Sequence, residues 1–251
     1  MITFLLPEKD YDPTESGVIW SALVESGVPV QFATPEGKVA LADERLTDKG
    51  FGLLSPFLMT QKADLKIYQT LVQSSEFLNP INYESVDLTQ SQGIFVPGGH
   101  AQGMKSLLES KAAQAIVVQA FDKKIAVGSV CHGVLLLARS INPKTGKSVL
   151  FGRQTTGLTR PMEISAWFIT WLWLRNYYRT YDISVETEIK QALESTNDFK
   201  QGPILPIRDS AMNLKPGFTV CDDNYISGRW PGDCHKLAQE FVALVKYKSR
   251  D

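Results

Sequence analysis

The chain has 251 residues, with 26 Lys plus Arg set against 27 Asp plus Glu and 43% apolar residues, the profile of a globular protein with a sizeable core. Its near-zero charge and lack of a basic tract leave nucleic-acid binding without electrostatic support. The three cysteines, Cys131, Cys221 and Cys234, show no metal-ligand spacing and cannot all pair, which fits a reducing cytoplasm.

Ile2 to Leu6 reads as a first strand. The segment Met1 to Asp10 has no basic start and meets acid early, unlike a signal peptide. A helix pattern follows from Glu15 to Ser26, where Asp12 or Thr14 can cap the first turn. Glu15 is by default a first-turn carboxylate favoured by the helix dipole, or else a carboxyl aimed at a nucleophile. Val28 to Ala33 forms a second strand and runs into the turn Thr34-Pro35-Glu36-Gly37. Asp64 to Ser74 is the next helix. The strand Gly93 to Val96 then ends in Pro97-Gly98-Gly99-His100. Two glycines there serve as a plain turn, or let backbone N–H groups face a cleft as oxyanion donors.

Leu107 to Phe121 reads as a helix, Ile125 to Val130 as a buried strand, and Gly133 to Arg139 as an apolar helix. Met162 to Tyr177 is an aromatic-rich helix whose most apolar stretch, Ala166 to Leu174, is too short to span a bilayer. Gly217 to Cys221 and Pro231 to Tyr247 complete the series as strand and helix. This alternation predicts an α/β fold: a flavodoxin-like three-layer sandwich, with a mainly parallel sheet and helices on both faces. No linker or repeat divides residues 1–251, so one domain is expected.

Cys131 stands where the fourth strand breaks and a helix begins, with Ser129 and Gly133 two positions to either side. That is a nucleophile elbow with sulfur as the nucleophile, and a helix start favours the thiolate. His132 follows it directly. Adjacent side chains usually diverge, yet two of the three histidines, His100 and His132, fall in the two segments already marked. The amide after the nucleophile is a further oxyanion donor. No His-x-x-x-His, Cys-x-x-Cys, Gly-x-Gly-x-x-Gly or P-loop pattern is present, so neither metal nor other cofactor is expected.

Together, Asp12-Pro13-Thr14-Glu15, Ala33 to Gly37, Pro97 to His100, Val130-Cys131-His132-Gly133 and Asp222 to Arg229 resemble the ThiJ/PfpI superfamily, also called class I glutamine amidotransferase-like. Cys followed by His is similar to its heat-shock chaperone and glyoxalase III branch. Thr156-Gly157-Leu158-Thr159 leading to Glu163 matches that branch in spacing. The resemblance implies a triad of Cys131, His132 and Glu163, with Glu15 as carboxyl partner of the thiol and Gly98, Gly99 and His100 at the oxyanion site. It further implies a small-molecule substrate, metal-free conversion of a 2-oxoaldehyde such as methylglyoxal to a 2-hydroxy acid, and a homodimer. Cysteine hydrolysis and a non-enzymatic chaperone or oxidation sensor are the competing functions. The aromatic segment Trp167 to Tyr181 and the turn Arg229 to Asp233 depart from the branch and bear on substrate choice.

Overall fold

The computed structural model describes residues 1–248 and is built on a seven-stranded sheet. Its strands are β1 (Ile2–Leu5), β2 (Val30–Thr34), β3 (Ile81–Asn82), β4 (Gly93–Val96), β5 (Ala126–Val130), β6 (Thr219–Asp222) and β7 (Tyr225–Gly228). Their spatial order is β6-β7-β5-β4-β1-β2-β3, parallel throughout except for the β6–β7 hairpin. The main helices are α1 (Pro13–Glu25), α2 (Lys62–Leu71), α3 (Lys111–Asp122), α4 (Gly133–Arg139), α5 (Arg160–Leu174), α6 (Val185–Ala192) and α7 (Cys234–Lys248). α1 packs with α2 and α7 as one layer; α4 packs with α3 and α6 as the other, and α5 lies against α6.

Every residue of β1, β4 and β5 is buried, as expected of central parallel strands covered on both faces. A row of aromatics crosses them in register. Phe4 lies opposite Phe32 and Phe95, with ring centroids 5.1 Å away in each case, and Phe241 of α7 meets Phe95 at 5.4 Å. The next position in the row is Gly128, where a Cβ would come within 2.6 Å of the Phe95 ring and 2.9 Å of Phe241. Glycine there is what lets both rings reach the sheet, so one missing methyl organises the centre of the core.

The elements differ from expectation at their ends, each for a local reason. β2 begins at Val30, because Pro29 has no N–H to give and contributes only its carbonyl, which accepts from Ile2. The helix expected over Leu107 to Phe121 divides: a short turn Lys105–Leu108 stops, and Ser110 caps α3 by accepting from the Ala113 amide at 3.2 Å. α5 ends at Leu174 because Arg175 turns to φ 53. β7 spans four residues and α6, though amphipathic, only eight, so neither fills a window long enough to stand out in the sequence as an element. The carboxyl ends of β1, β4 and β5 lie side by side, where ligands bind in such sheets.

Candidate active site

Cys131 leaves β5 with φ 57, a left-handed conformation that costs a non-glycine residue about 1–2 kcal/mol. Its amide donates to the Gly228 carbonyl at the end of β7 at 3.2 Å, and the following helix is buried from Gly133 to Ala138. Gly133 is required by close packing, since a Cβ would lie 2.4 Å from the Val96 carbonyl oxygen. The surroundings thus over-determine a strained turn, as at other nucleophile elbows.

Glu15 reaches the elbow through a chain of short bonds. Asp12 caps α1 by accepting from the amides of Thr14 at 2.8 Å and Glu15 at 3.1 Å. The Asp12 amide donates to the Gly98 carbonyl at 2.9 Å, and the Gly98 amide donates to Glu15 Oε2 at 2.6 Å. A Cβ on Gly98 would sit 2.8 Å from Cys131 Cβ and 2.9 Å from Glu15 Oε2. Gly98 is therefore the spacer that lets carboxyl and thiol meet. Its amide donates to Glu15 and so does not face the cleft as an open donor.

Charge in this pocket is controlled by burial. Burial pushes Glu15 well above the usual carboxyl range, and the Asp12 charge beside it adds to the effect. Asp12 is itself raised to about 6 by burial, against the pull of the Glu15 amide and Arg208. Burial also pushes the Cys131 thiol up, followed by the charges of Glu15 and Asp12. Two adjacent anions cannot form cheaply here, so Glu15 and Cys131 behave as a pair sharing a proton, with Glu15 protonated when the sulfur is ionised.

The two neighbouring side chains at the elbow do converge: Cys131 Sγ lies 3.6 Å from His132 Nδ1. Burial holds His132 well below its ordinary value, with His100 and Arg139 adding to this, so its imidazole is neutral. His100 packs its ring 4.8 Å from that of His132 and is lowered to about 4 by burial. Glu163, near the start of α5, accepts from the Val185 amide at 2.8 Å and is raised to about 7, mainly by burial. Donor atoms of His100, His132 and Glu163 all lie within 4.8 Å of one another. Among the described residues no hydrogen bond joins Glu163 to His132, and the Nε2 atoms of both histidines are buried without a partner. The fold thus assembles three possible metal donors that sequence spacing does not suggest.

A cleft of about 310 Å³ opens above Cys131, Gly99 and His100. Pro161, Met162 and Ile169 of α5 line it together with Phe51, Phe57, Ile204, Arg208 and Trp230, so both segments suspected of shaping the pocket do so. The wall from residues 46 to 58 and the loop residues 204 to 208 were not marked in the sequence, and no motif there could have marked them. Arg208 lies over the Trp230 ring at 4.8 Å and lowers both Asp12 and Glu15 by its charge. Cys221 is exposed, and His235 is bonded to Asp64 at 3.1 Å and does not line the cleft. No described helix is long and apolar enough to cross a membrane.

This fold and cysteine elbow agree with the family comparison. A ThiJ/PfpI family-like model matches residues 6–203, and the chain belongs to that family. It is 32% identical over 115 residues to an uncharacterized protein of Schizosaccharomyces pombe, covering 45% of this chain and 42% of that protein. It is 26% identical to a glutathione-independent glyoxalase of the same organism, over 61% of this chain and 64% of the relative. The matches therefore span about two fifths to two thirds of these relatives' lengths. The crystal structure of glyoxalase III from Candida albicans superposes with a TM-score of 0.69 at 20% identity, covering 97% of this chain and 96% of that one.

Proposed function

We propose that this protein is a cysteine-dependent glyoxalase that converts a 2-oxoaldehyde to a 2-hydroxy acid without glutathione. The observation that carries the reading is the 3.6 Å approach of Cys131 Sγ to a neutral, buried His132 Nδ1, with the raised Glu15 carboxyl against the same thiol. The chain's similarity to a glutathione-independent glyoxalase of S. pombe and to glyoxalase 3 of C. albicans supports the same class.

In this mechanism His132 takes the thiol proton and the sulfur adds to the aldehyde carbon. A carbon–sulfur bond forms, the carbonyl π electrons move to oxygen, and protonated Glu15 and the amides of Gly99 and His132 receive that oxygen. His132 passes the thiol proton to that oxygen, completing the hemithioacetal. The freed imidazole then takes the C1 proton and returns it to C2, while a proton moves from the C1 oxygen to the C2 oxygen. C1 is thereby oxidised to a thioester while C2 is reduced to an alcohol, and no external electron acceptor is needed. Water attacks the thioester, the carbon–sulfur bond breaks, and the 2-hydroxy acid leaves with Cys131 restored. Covalent attachment divides one hard rearrangement into easier steps. Glu163 orients His132 in this scheme. The working form is a cytoplasmic homodimer acting on a small molecule, with the exposed face of α5 available to a second copy.

Methylglyoxal consumption with lactate production, followed by chromatography, tests the proposal. Turnover is expected in the wild-type chain and a loss of at least about 10³-fold in Cys131→Ala; equal activity in that variant ends the assignment. The sensor reading is disfavoured by the setting of the thiol, which is 5% exposed and raised by burial, whereas redox-sensing cysteines are accessible and low in pKa.

A further inference from the structure

A three-carbon 2-oxoaldehyde has only a handful of heavy atoms, yet the cleft above Cys131 holds about 310 Å³, in the range of ~300–1,000 Å³ typical of sites for much larger ligands. Its walls fall from buried to open: Leu158 and Tyr178 are each 5% exposed, whereas at the mouth Phe57 is 74% and Ile204 96% exposed.

The polar side chains along these walls are already occupied, apart from Trp230, whose buried Nε1 has no partner and whose ring faces Arg208 at 4.8 Å. Ser165 Oγ donates to the Pro161 carbonyl at 2.6 Å, and Thr170 Oγ1 donates to those of Ala166 and Trp167 at 2.8 and 3.2 Å. The Tyr178 hydroxyl donates to Asp43 at 2.8 Å. The charged or ionisable groups left on the lining, Asp12, His100 and Arg208, belong to the catalytic end: Asp12 caps the helix bearing Glu15, His100 packs on His132, and Arg208 acts on Asp12 and Glu15. A sugar or peptide would lose water-mediated hydrogen bonds against such walls without replacement. An apolar chain would gain along their whole length.

Resting on the glyoxalase reading above, we infer that the favoured substrate is a 2-oxoaldehyde carrying a long alkyl or aryl substituent. The dicarbonyl end lies at Cys131, beside Arg208, and the apolar part runs past Met162 and Ile169 to the mouth at Phe57 and Ile204. Rim side chains that are exposed in the free protein become covered by the substrate.

The test is a series of 2-oxoaldehydes from methylglyoxal to octylglyoxal, with phenylglyoxal alongside, measured on the full chain. kcat/KM is expected to rise about fourfold per methylene until the chain reaches the rim. Phe57→Ser and Ile169→Ser, both at exposed positions, should flatten that rise. A flat or falling series, with methylglyoxal still turned over, overturns the substrate class and leaves the glyoxalase reading standing. If no aldehyde in the series reacts, the glyoxalase reading fails instead. The cleft is then read by N-alkylmaleimides of increasing length, with Cys131 alkylation followed by peptide mass spectrometry and exposed Cys221 as internal reference. A rate ratio of Cys131 to Cys221 that climbs with length supports an apolar-chain ligand, and a constant ratio overturns it.

Discussion

The Cys131 elbow and the α5 wall of the cleft face each other across the same cavity, and they are built on opposite principles. At the elbow the groups are buried and the backbone is held at each turn: Gly98 bridges Asp12 and Glu15, Gly228 holds the Cys131 amide, and Gly133 fits against Val96. Along α5 only Glu163 and Thr170 are buried, while Phe168 and Leu172 are 74% and 72% exposed. The first region tolerates almost no change in shape. The second presents apolar surface with few internal obligations. The comparison separates a rigid chemical unit from a surface free to set specificity.

The sharpest way to break this division is at its buried support. Arg229 and Asp233, both with side chains fully buried, form an ion pair at 2.8 Å, reinforced by Arg229 Nε to Asp233 Oδ2 at 2.9 Å. Arg229→Ala leaves Asp233 uncompensated and should lower stability by about 3–5 kcal/mol, read from the denaturant midpoint. A shift as small as that of a surface substitution would show that the rigid unit does not depend on its frame.

Next in size is Glu15→Ala, which removes the proton partner of the thiol and the acceptor of the Gly98 amide. kcat/KM should fall by about 10²–10³-fold, in steady-state kinetics on methylglyoxal. An unaffected rate would place the proton entirely on His132.

A smaller and graded effect concerns Glu163, raised to about 7 by burial. Its carboxylate form, the one proposed to orient His132, is populated above that pH and lost as pH falls through it. Activity should therefore drop about tenfold per pH unit below about 7, and Glu163→Gln should remove this limb from the profile. A limb that persists in the variant belongs to another group.

The smallest effect is expected on the open wall. Phe168→Ser should alter monomer stability by less than about 0.5 kcal/mol, because the ring is mostly in water already. Analytical ultracentrifugation of the same variant reads the proposed homodimer: if α5 lies in its interface, the monomer fraction rises.

The rigid unit was legible in the sequence because its demands are local. A buried strand, a cysteine between small residues and an apolar helix occupy one short stretch, and Pro97-Gly98-Gly99-His100 announces a turn at another strand end. The convergence of Glu15 with Cys131 rested on resemblance, since it is made by the β1–β4–β5 pairing and no spacing along the chain encodes it. The same holds for Glu163, which comes within reach of His132 only because α5 folds back over the elbow. The open wall was the least legible. Leu46, Phe51 and Phe57 read as ordinary loop hydrophobics, and Ile204 and Arg208 lie in a stretch without periodicity. Their common role appears only when three distant loops meet at one mouth. The Gly98 role also shifted for this reason: a glycine at a turn says that backbone is close, without saying which acceptor its amide has found.

The Arg229–Asp233 pair carries one more implication. Arg229 also donates to the Pro203 carbonyl at 2.9 Å, and Asp233 accepts from the Phe218 amide at 2.9 Å. These two contacts clip both ends of the segment that bears Ile204, Pro206 and Arg208 over the cleft. A loop moored at both feet by its backbone can exchange the side chains of its span without moving its anchorage. The mouth of the cleft is therefore open to revision at Ile204 and Pro206, whereas Arg208, whose charge acts on Asp12 and Glu15, is tied to the elbow beneath it.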